Sequence, residues 1–462
     1  MLRDHDTIVA PATASGGAIA VVRFSGREAC ALCDRFFRGA APLTDAGGYS
    51  VHFGHIVDGQ RIIDEVLATV FRAPHSYTGE DSVEISCHGS SYIVSEILRL
   101  AQQAGARMAE PGEFTIRAYL AGKLDLSQAE AVADLIAASS QAEHALAFNQ
   151  MRGSVKTALA AMQEQLLRLA SLLELELDFG EEEVEFADRS ELQRIMLQLG
   201  TEIDALRDSF ALGNAIKEGV PVVIAGAPNV GKSTLLNRLL DDDRALVSDI
   251  AGTTRDVIEE QVCIGGVRFR FLDTAGIRAT DDRLEQLGIE RTRTAIERAR
   301  IVIRMLTAQE VADGAVPAPD FSLRPDQTLL TVINKIDIRP GFTLADSLAL
   351  RALADSGSLF AISARDGIGI DALRSAIRSC VDTSALFHGN PVLSNSRHLQ
   401  ALADTRAALD RALSGLHSGL SSELLAEEIR SVISALSAIS GSGPITPDHI
   451  LRNIFSNFCI GK

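Results

Sequence analysis

Nine residues, Gly226-Ala-Pro-Asn-Val-Gly-Lys-Ser-Thr234, constrain this chain more than any other stretch. An apolar run, Val220 to Ala225, leads into them, and Leu235-Leu-Asn-Arg-Leu-Leu240 follows with the composition of a helix. Strand, glycine loop and helix in that order form the setting in which a G-x-x-x-x-G-K-S spacing becomes a phosphate site. Gly226 and Gly231 let the backbone turn its N–H groups inward, and the helix N-terminus adds the positive end of its dipole. Lys232 would reach the β- and γ-phosphates of a di- or triphosphate, and the Ser233 hydroxyl would ligate Mg²⁺. Alone, the loop specifies nucleotide phosphates and leaves base and purpose open.

The chain has 462 residues, more than one core supports, so about two to four domains are expected. Its 46% apolar and 23% charged residues, with no run long enough to span a bilayer, read as a globular chain with no membrane span. The start, Met1-Leu-Arg-Asp-His-Asp6, lacks the basic-then-apolar pattern of a signal peptide. Six scattered cysteines (30, 33, 87, 263, 380 and 459) suit a reduced compartment, so a cytoplasmic location is expected. Cys30-Ala-Leu-Cys33 has no second half to complete a metal site and reads as two packing thiols on a helix. Net charge is −17, which argues against holding nucleic acid by bulk electrostatics and leaves room for a local basic patch or a basic partner.

Four segments emerge along the chain. Residues 1–120 read as a small α+β domain. Strands are expected at Gly17–Phe24, Ile62–Phe71 and Ser82–His88, and helical spacing runs from Tyr92 to Gln103. Residues 121–218 turn helical, with Ser127-Gln-Ala-Glu130 matching a capping box. Leu159, Met162, Leu166, Leu169 and Leu173 keep a bundle-like rhythm, and Leu192, Ile195, Leu199, Ile203, Leu206 and Phe210 line another helix. Between them, residues 174–188 hold eight acids and no base, which reads as a solvated helix end and loop. Helical character stops near Gly219 and resumes in 384–462, at Leu399, Leu402, Leu409, Leu413 and Leu416 and again from Leu425 to Ile439. The simplest architecture is a helical domain built from two chain segments, with an α/β domain of residues 219–383 inserted between them.

The inserted domain carries further motifs in the order a GTPase needs. Ser248-Asp-Ile-Ala-Gly-Thr-Thr254 is a polar loop in which a threonine, best Thr254, completes the Mg²⁺ shell. A strand at Val267–Leu272 runs into Asp273-Thr274-Ala275-Gly276. There Asp273 suits a carboxylate near Mg²⁺, and the Gly276 N–H suits a γ-phosphate. Leu329–Ile333 is another strand, ending in Asn334-Lys335-Ile-Asp337; the Asp337 carboxylate accepts from the guanine N1–H and N2 amino group, which adenine does not offer. Ser363-Ala364-Arg365 backs up the base. After Gly276 comes Ile277, where a Ras-like GTPase carries its water-orienting glutamine; isoleucine cannot hydrogen-bond water, and the next loop, Arg278 to Glu285, offers carboxylates instead. The chain ends Asn457-Phe-Cys459-Ile-Gly-Lys462, where a thiol close to the terminus is as well explained by packing as by reactivity.

Together these residues resemble the MnmE (TrmE) family of tRNA-modification GTPases over the full length. The resemblance rests on Asn229 inside the phosphate loop, Gly252-Thr-Thr-Arg-Asp256, Asp273-Thr-Ala-Gly-Ile-Arg278, Asn334-Lys-Ile-Asp337 and the terminal Cys459-Ile-Gly-Lys462. Arg23-Phe-Ser-Gly26, Ser76-Tyr-Thr-Gly-Glu-Asp81 and the stretch Pro111 to Lys123 also look like family motifs.

The resemblance implies a Ras-like G domain and an N-terminal α+β domain that dimerises and binds a formyl- or methylene-tetrahydrofolate. It also implies a homodimer that joins the FAD protein MnmG in a heterotetramer to modify C5 of the wobble uridine of certain tRNAs. Arg23, Glu80, Lys123 and Lys462 match the folate-contacting positions. GTP contacts fall on Asn229, Val230, Gly231, Lys232, Ser233, Thr234, Ser248 to Thr254 (with Asp249, Ala251 and Gly252), Asp273 to Gly276, Asn334, Lys335, Asp337 and Ser363 to Arg365. Asn229, Ser248, Ile250 and Thr253 match a K⁺ site that stands where an arginine finger would act. Glu285 matches the water-orienting glutamate, which would answer the Ile277 puzzle, and Cys459 is a candidate nucleophile. A competing reading, a GTP-regulated switch acting on ribosome assembly, would need neither Cys459 nor the N-terminal domain.

Overall fold

The computed structural model describes residues 6–14, 16–178, 189–244, 259–272, 285–312, 321–339, 342, 359–441 and 461. The chain divides into two compact units. The first comprises Met1–Ala133, Gln150–Thr201 and Gln400–Lys462, and the second Asp134–Asn149 and Glu202–Leu399.

The first unit contains a seven-stranded sheet. Its strands are β1 (Ile8–Pro11), β2 (Ile19–Ser25), β3 (Phe37–Gly39), β4 (Ser50–Asp58), β5 (Arg61–Phe71), β6 (Ser82–His88) and β7 (Arg107–Met108), in the order β3-β4-β5-β6-β2-β1-β7. All pairings are antiparallel except β1 with β7. The period-2 alternation in β6 has a direct outcome: Val83, Ile85 and Cys87 are buried with Val22, Phe24, Val66, Ala68 and Val70 and with Ile97 and Leu100 of the helix Ser91–Gln103. The opposite face is closed at the β1 end by Phe114, packed with Ile8, Ala10 and Ala109. Farther across that face, register puts Phe53, Leu67, Ser86 and Val21 in one row over four strands. Cys30 and Cys33 do pack, both buried in the helix Ala29–Cys33, and burial pushes the Cys30 thiol up to about 11 and Cys33 well above the usual thiol range. Neither is a nucleophile in that state.

The strands expected around Gly17–Phe24, Ile62–Phe71 and Ser82–His88 correspond to β2, β5 and β6, with β2 starting two residues later than expected. Gly17 stays outside because its carbonyl faces Gly89, where a side-chain Cβ would lie 1.8 Å from that oxygen.

Two helical expectations are corrected. The helix Leu126–Ala137 is capped by Asp125, not by Ser127. The Asp125 carboxylate accepts from the Gln128 N–H at 2.8 Å, and the Gln128 side chain accepts in return from the Asp125 N–H at 3.1 Å. This is a reciprocal box two residues upstream of the expected one, and Ser127 instead turns its hydroxyl to the same Asp125 carboxylate at 2.7 Å. The second correction concerns Phe210, which opens a separate helix, Phe210–Glu218, after Arg189–Asp208 ends. The buried stripe of the earlier helix is Leu192, Met196, Leu199, Ile203 and Leu206, with Ile195 only half-buried. The rhythm at Leu159, Met162, Leu166, Leu169 and Leu173 is fully buried in the helix Ser154–Asp178, which packs on Ser422–Ser440 and receives a 3.0 Å bond between Gln163 and Ser437.

The second unit contains a six-stranded sheet made of β8 (Val220–Ala225), β9 (Glu260–Ile264), β10 (Val267–Phe271), β11 (Ile301–Thr307), β12 (Thr328–Asn334) and β13 (Leu359–Ala361). Their order is β13-β12-β11-β8-β10-β9. Every pairing is parallel except β9 with β10. The chain leaves β8 toward β9 and β10 and returns on its other side at β11, so the carboxyl end of β8 is a topological switch point. Sequence reading missed β11, a run of six buried residues, Ile301 to Leu306, without the alternation that betrays a half-exposed strand.

The β9–β10 turn is held from two sides. Ala142 donates its N–H to the Gly266 carbonyl at 2.9 Å, and Arg268 Nε lies 2.7 Å from the buried Glu143 carboxylate. From the other side, Arg378 donates to the Gly265 carbonyl at 3.0 Å.

Candidate functional site

The loop Gly226–Gly231 leaves β8 at the switch point and enters the helix Lys232–Arg244. Gly226 and Gly231 have φ of +159° and +101°. A Cβ at Gly231 would lie 2.3 Å from the Asn334 amide nitrogen, so only glycine fits there. Asn229 holds φ +62°, a left-handed conformation that asparagine tolerates better than most side chains. Residues 226–229 are exposed, while Val230 beneath them is buried and anchors the loop to the sheet core. Lys232 curls over this loop and donates to the Gly226 carbonyl at 2.7 Å and the Ala227 carbonyl at 3.1 Å. Its ammonium therefore sits at the loop mouth. Gly231, Lys232 and Ser233 are half-buried and Thr234 is exposed.

Asn334, at the end of β12, is buried and ties three loops together. Its amide donates to the Val230 carbonyl at 2.8 Å, and its side-chain oxygen accepts from the Ala364 N–H at 3.0 Å. One side chain thus fixes the phosphate loop against the Ser363-Ala364-Arg365 loop. Lys335 adopts φ +65°, and Asp337 follows in the short turn Ile336–Ile338 with its carboxylate exposed. Ser363 and Ala364 are buried and Arg365 is exposed; Ser363 and Asp366 brace their turn reciprocally at 3.1 and 3.2 Å. Asp337 and Arg365 are thus both exposed above the buried Asn334, Ser363 and Ala364. Glu285 opens the helix Glu285–Arg298. Ser248 to Thr254 and Asp273 to Gly276 lie outside the described residues, as do Cys459 and Lys462.

In the first unit, Arg23 projects from β2 between the rings of Tyr77 and Phe114, 5.5 and 5.7 Å from their centroids. It pairs with Glu84 on β6 at 2.8 Å, as the Arg23–Glu84 register dictates, and also donates to the Gly461 carbonyl at 3.3 Å. The end of the chain therefore returns to the N-terminal sheet. Gly461 is buried against Pro11, where a Cβ would lie 2.0 Å from the Pro11 carbonyl oxygen. A cavity of about 60 Å³ is lined by Arg23, Phe71, Tyr77, Thr78, Ser82 and Glu84. Next to it, Glu80 accepts from Ser25 at 2.7 Å and from Arg117 at 3.0 Å, and the Lys123 side chain lies against Gly79.

The structure thus gathers Arg23, Glu80 and Lys123 on one side of the sheet, with Gly461 beside them. Sequence reading gave no role to Tyr77, Glu84, Phe114 or Arg117. Tyr77, Phe114 and Arg117 do fall inside quoted motifs, and strand register alone predicts that a residue opposite Arg23 on β6 is its partner.

Among the described residues, no helix is long and apolar enough to cross a membrane, and no group of three or more His, Cys, Asp or Glu is placed to hold a metal.

Two family models match the chain: "GTP-binding protein TrmE N-terminus" over residues 7–123 and "MnmE helical domain" over residues 126–459. The "tRNA modification GTPase MnmE" of Flavobacterium johnsoniae is 46% identical over 474 aligned residues, covering 99% of this chain and 100% of that protein. Its counterpart in Bacteroides fragilis is 47% identical over 467 residues, with the same two coverages. A crystal structure of Era in complex with MgGDPNP and nucleotides 1506-1542 of 16S ribosomal RNA aligns at 28% identity over 40% of this chain and 65% of that one. Its TM-score is 0.24, too loose an overlay to add to the sheet order. Matched from end to end by its relatives and by both family models, the chain belongs to the MnmE family of tRNA modification GTPases.

Proposed function

We propose that the chain is a K⁺-activated GTP hydrolase that works in tRNA modification. GTP hydrolysis and the tRNA substrate follow from the family to which it belongs. Within that activity, the chain acts as a homodimer with an MnmG-type FAD protein and places an aminomethyl or carboxymethylaminomethyl group on C5 of the wobble uridine, using a folate one-carbon donor. The observation that carries the nucleotide half is the Asn334 tie, which joins the phosphate loop and the guanine-side loop into one preformed cradle at the sheet's switch point.

In this reading the loop amides and Lys232 bind the phosphates, Asp337 selects guanine, and Ser233 and Thr254 would hold Mg²⁺. Asn229, Ser248, Ile250 and Thr253 would hold K⁺, which when bound supplies positive charge at the phosphates. Of these four, only Asn229 lies among the described residues; its exposed side-chain amide leaves an oxygen donor available to such a cation. Glu285 orders the attacking water, the task that Ile277 cannot perform. The domains follow the sequence limits 1–120, 121–218, 219–383 and 384–462. Arg23, Glu80, Lys123 and Lys462 bind the folate, with Cys459 close to the same chain end. The exposed apolar row at Phe53 and Leu67, 60% and 46% accessible, supports pairing through the N-terminal sheet.

Wobble-uridine analysis of tRNA from a strain lacking this chain tests the central claim: an unmodified C5 is expected, and normal modification overturns it. For the hydrolytic step, Glu285→Ala should leave GTP affinity within a few-fold while the single-turnover rate collapses. Exchange of K⁺ for Na⁺ should slow wild-type hydrolysis, and an indifferent rate removes the cation from the mechanism.

A further inference from the structure

Behind Glu80 lies an ionic cluster that the folate reading does not use. Arg117, on the helix Glu113–Leu120, is 9% exposed. Its guanidinium donates to both Glu80 oxygens at 3.0 and 3.2 Å, to the Asp6 carboxylate at 2.6 Å, to the Asp6 backbone carbonyl at 2.9 Å and to Glu113 at 3.1 Å. Arg107 holds the far side, bonding Asp6 at 2.7 Å and Glu113 at 3.0 Å. Two guanidiniums thus face three carboxylates. Of the two, Arg117 is the one bonded to Glu80; on its other side that carboxylate accepts from the Ser25 hydroxyl at 2.7 Å.

We infer that Arg117 is a positioning residue for the ligand of this pocket, fixing the Glu80 carboxylate as a preoriented acceptor for the N–H donors of a reduced folate. The inference rests on the folate reading proposed above. One guanidinium nitrogen reaches both Glu80 oxygens while another is held by Asp6 and Glu113, so the donor facing Glu80 is fixed in direction as a freely rotating ammonium is not. Glu80 keeps 35% of its side chain accessible beside the cavity, so acceptor capacity remains open while Arg117 occupies the protein side. Arg117 is too enclosed to serve as a ligand contact itself, and its effect must pass through Glu80. Without it, Asp6, Glu80 and Glu113 would share Arg107 and the Ser25 hydroxyl, and Glu80 would turn toward solvent.

The test is binding of 5-formyltetrahydrofolate to the full-length protein by isothermal titration, in a double-mutant cycle with circular dichroism reporting the fold. Arg117→Met should weaken binding by about 10-fold and Glu80→Gln by a similar factor. The double variant should bind no more weakly than Glu80→Gln alone, since the arginine acts only through that carboxylate. Arg117→Lys should recover part of the loss, to within about 3-fold of wild type. A wild-type protein that does not bind the folate overturns the ligand reading and the inference with it. Wild-type binding with an unaffected Arg117→Met variant, or fully additive losses in the cycle, overturns the inference and leaves the ligand reading standing. If Arg117→Met does not fold, Arg117→Lys decides the matter by the same cycle, and additivity with Glu80→Gln again overturns it.

Discussion

The phosphate loop encloses its space with six consecutive residues, Gly226 to Gly231, whereas the cluster at and beside the Arg23 cavity draws Arg23, Glu80, Lys123 and Gly461 from four distant places in the chain. In the first, function resides in the backbone: two glycines with positive φ and an asparagine in the left-handed region set the curvature, and a buried amide fixes it. In the second it resides in side chains held by other side chains, with Glu84 steering Arg23 and Arg117 steering Glu80. A backbone site tolerates almost no added atom at its glycines. A side-chain site tolerates substitution to the extent that its supports are redundant.

This contrast predicts the largest effect at Gly231. Gly231→Ala forces a Cβ against Asn334 and strains the left-handed backbone, so nucleotide affinity should fall by about 100-fold or more while the fold persists. Fluorescent GTP-analogue titration with circular dichroism measures both; near-normal affinity would refute the backbone account. Asn334→Ala comes next. It strands the Val230 carbonyl and the Ala364 N–H, and should cost about 2–3 kcal/mol of nucleotide binding, read in the same titration.

Smaller effects should appear where side chains support one another. Arg107→Met removes one of two guanidiniums from Asp6 and Glu113 and should cost about 2 kcal/mol locally, seen as faster hydrogen exchange at residues 107–120. Burial pushes Asp6 up, but its bonds to Arg107 and Arg117 outweigh this and hold it below the usual carboxylate value. Burial likewise pushes Glu113 up, and Arg107, the Glu110 N–H and Arg117 outweigh it. Since both folded values are lowered, their stabilisation is complete only above the ordinary carboxylate values, above about pH 5, and is lost as pH falls through the lowered values. Protection of residues 107–120, measured against intrinsic exchange at each pH, should therefore fall below about pH 5 in the wild type, and less so in Arg107→Met. The smallest change is expected from Glu143→Gln, which keeps an acceptor oxygen for Ser139 and Ser140 and loses only the charge facing the part-exposed Arg268, about 1 kcal/mol by thermal melting. A melting shift no smaller than that of Arg107→Met would break this order.

Legibility followed the same divide. The phosphate loop was readable because consecutive residues encode it, and β8 and β6 were found at their observed limits because a full apolar run and a clean alternation mark them. The missed strand β11 carries only a buried run flanked by no turn signal, and β4 alternates weakly because Val51 and Phe53 lie on the exposed face. The cap of the helix Leu126–Ala137 was misplaced because a Ser-x-x-Glu spacing two residues downstream imitates the true Asp125–Gln128 box. The break at Ser209 was hidden because Phe210 continues the apolar rhythm although it starts a new helix.

Residue order alone determined the phosphate loop, the Asn334-Lys-Ile-Asp337 motif that we propose selects guanine, the missing glutamine at Ile277 and the family, since each is a matter of neighbours along the chain. Only the tertiary structure decided that Asn334 locks two loops together, that Arg23 points between Tyr77 and Phe114, and that Arg117 stands behind Glu80. The physical reason is that strand register and chain return, not sequence spacing, set which side chains meet: Arg23 and Gly461 touch across 438 residues because the chain end seats a side-chain-free residue against Pro11.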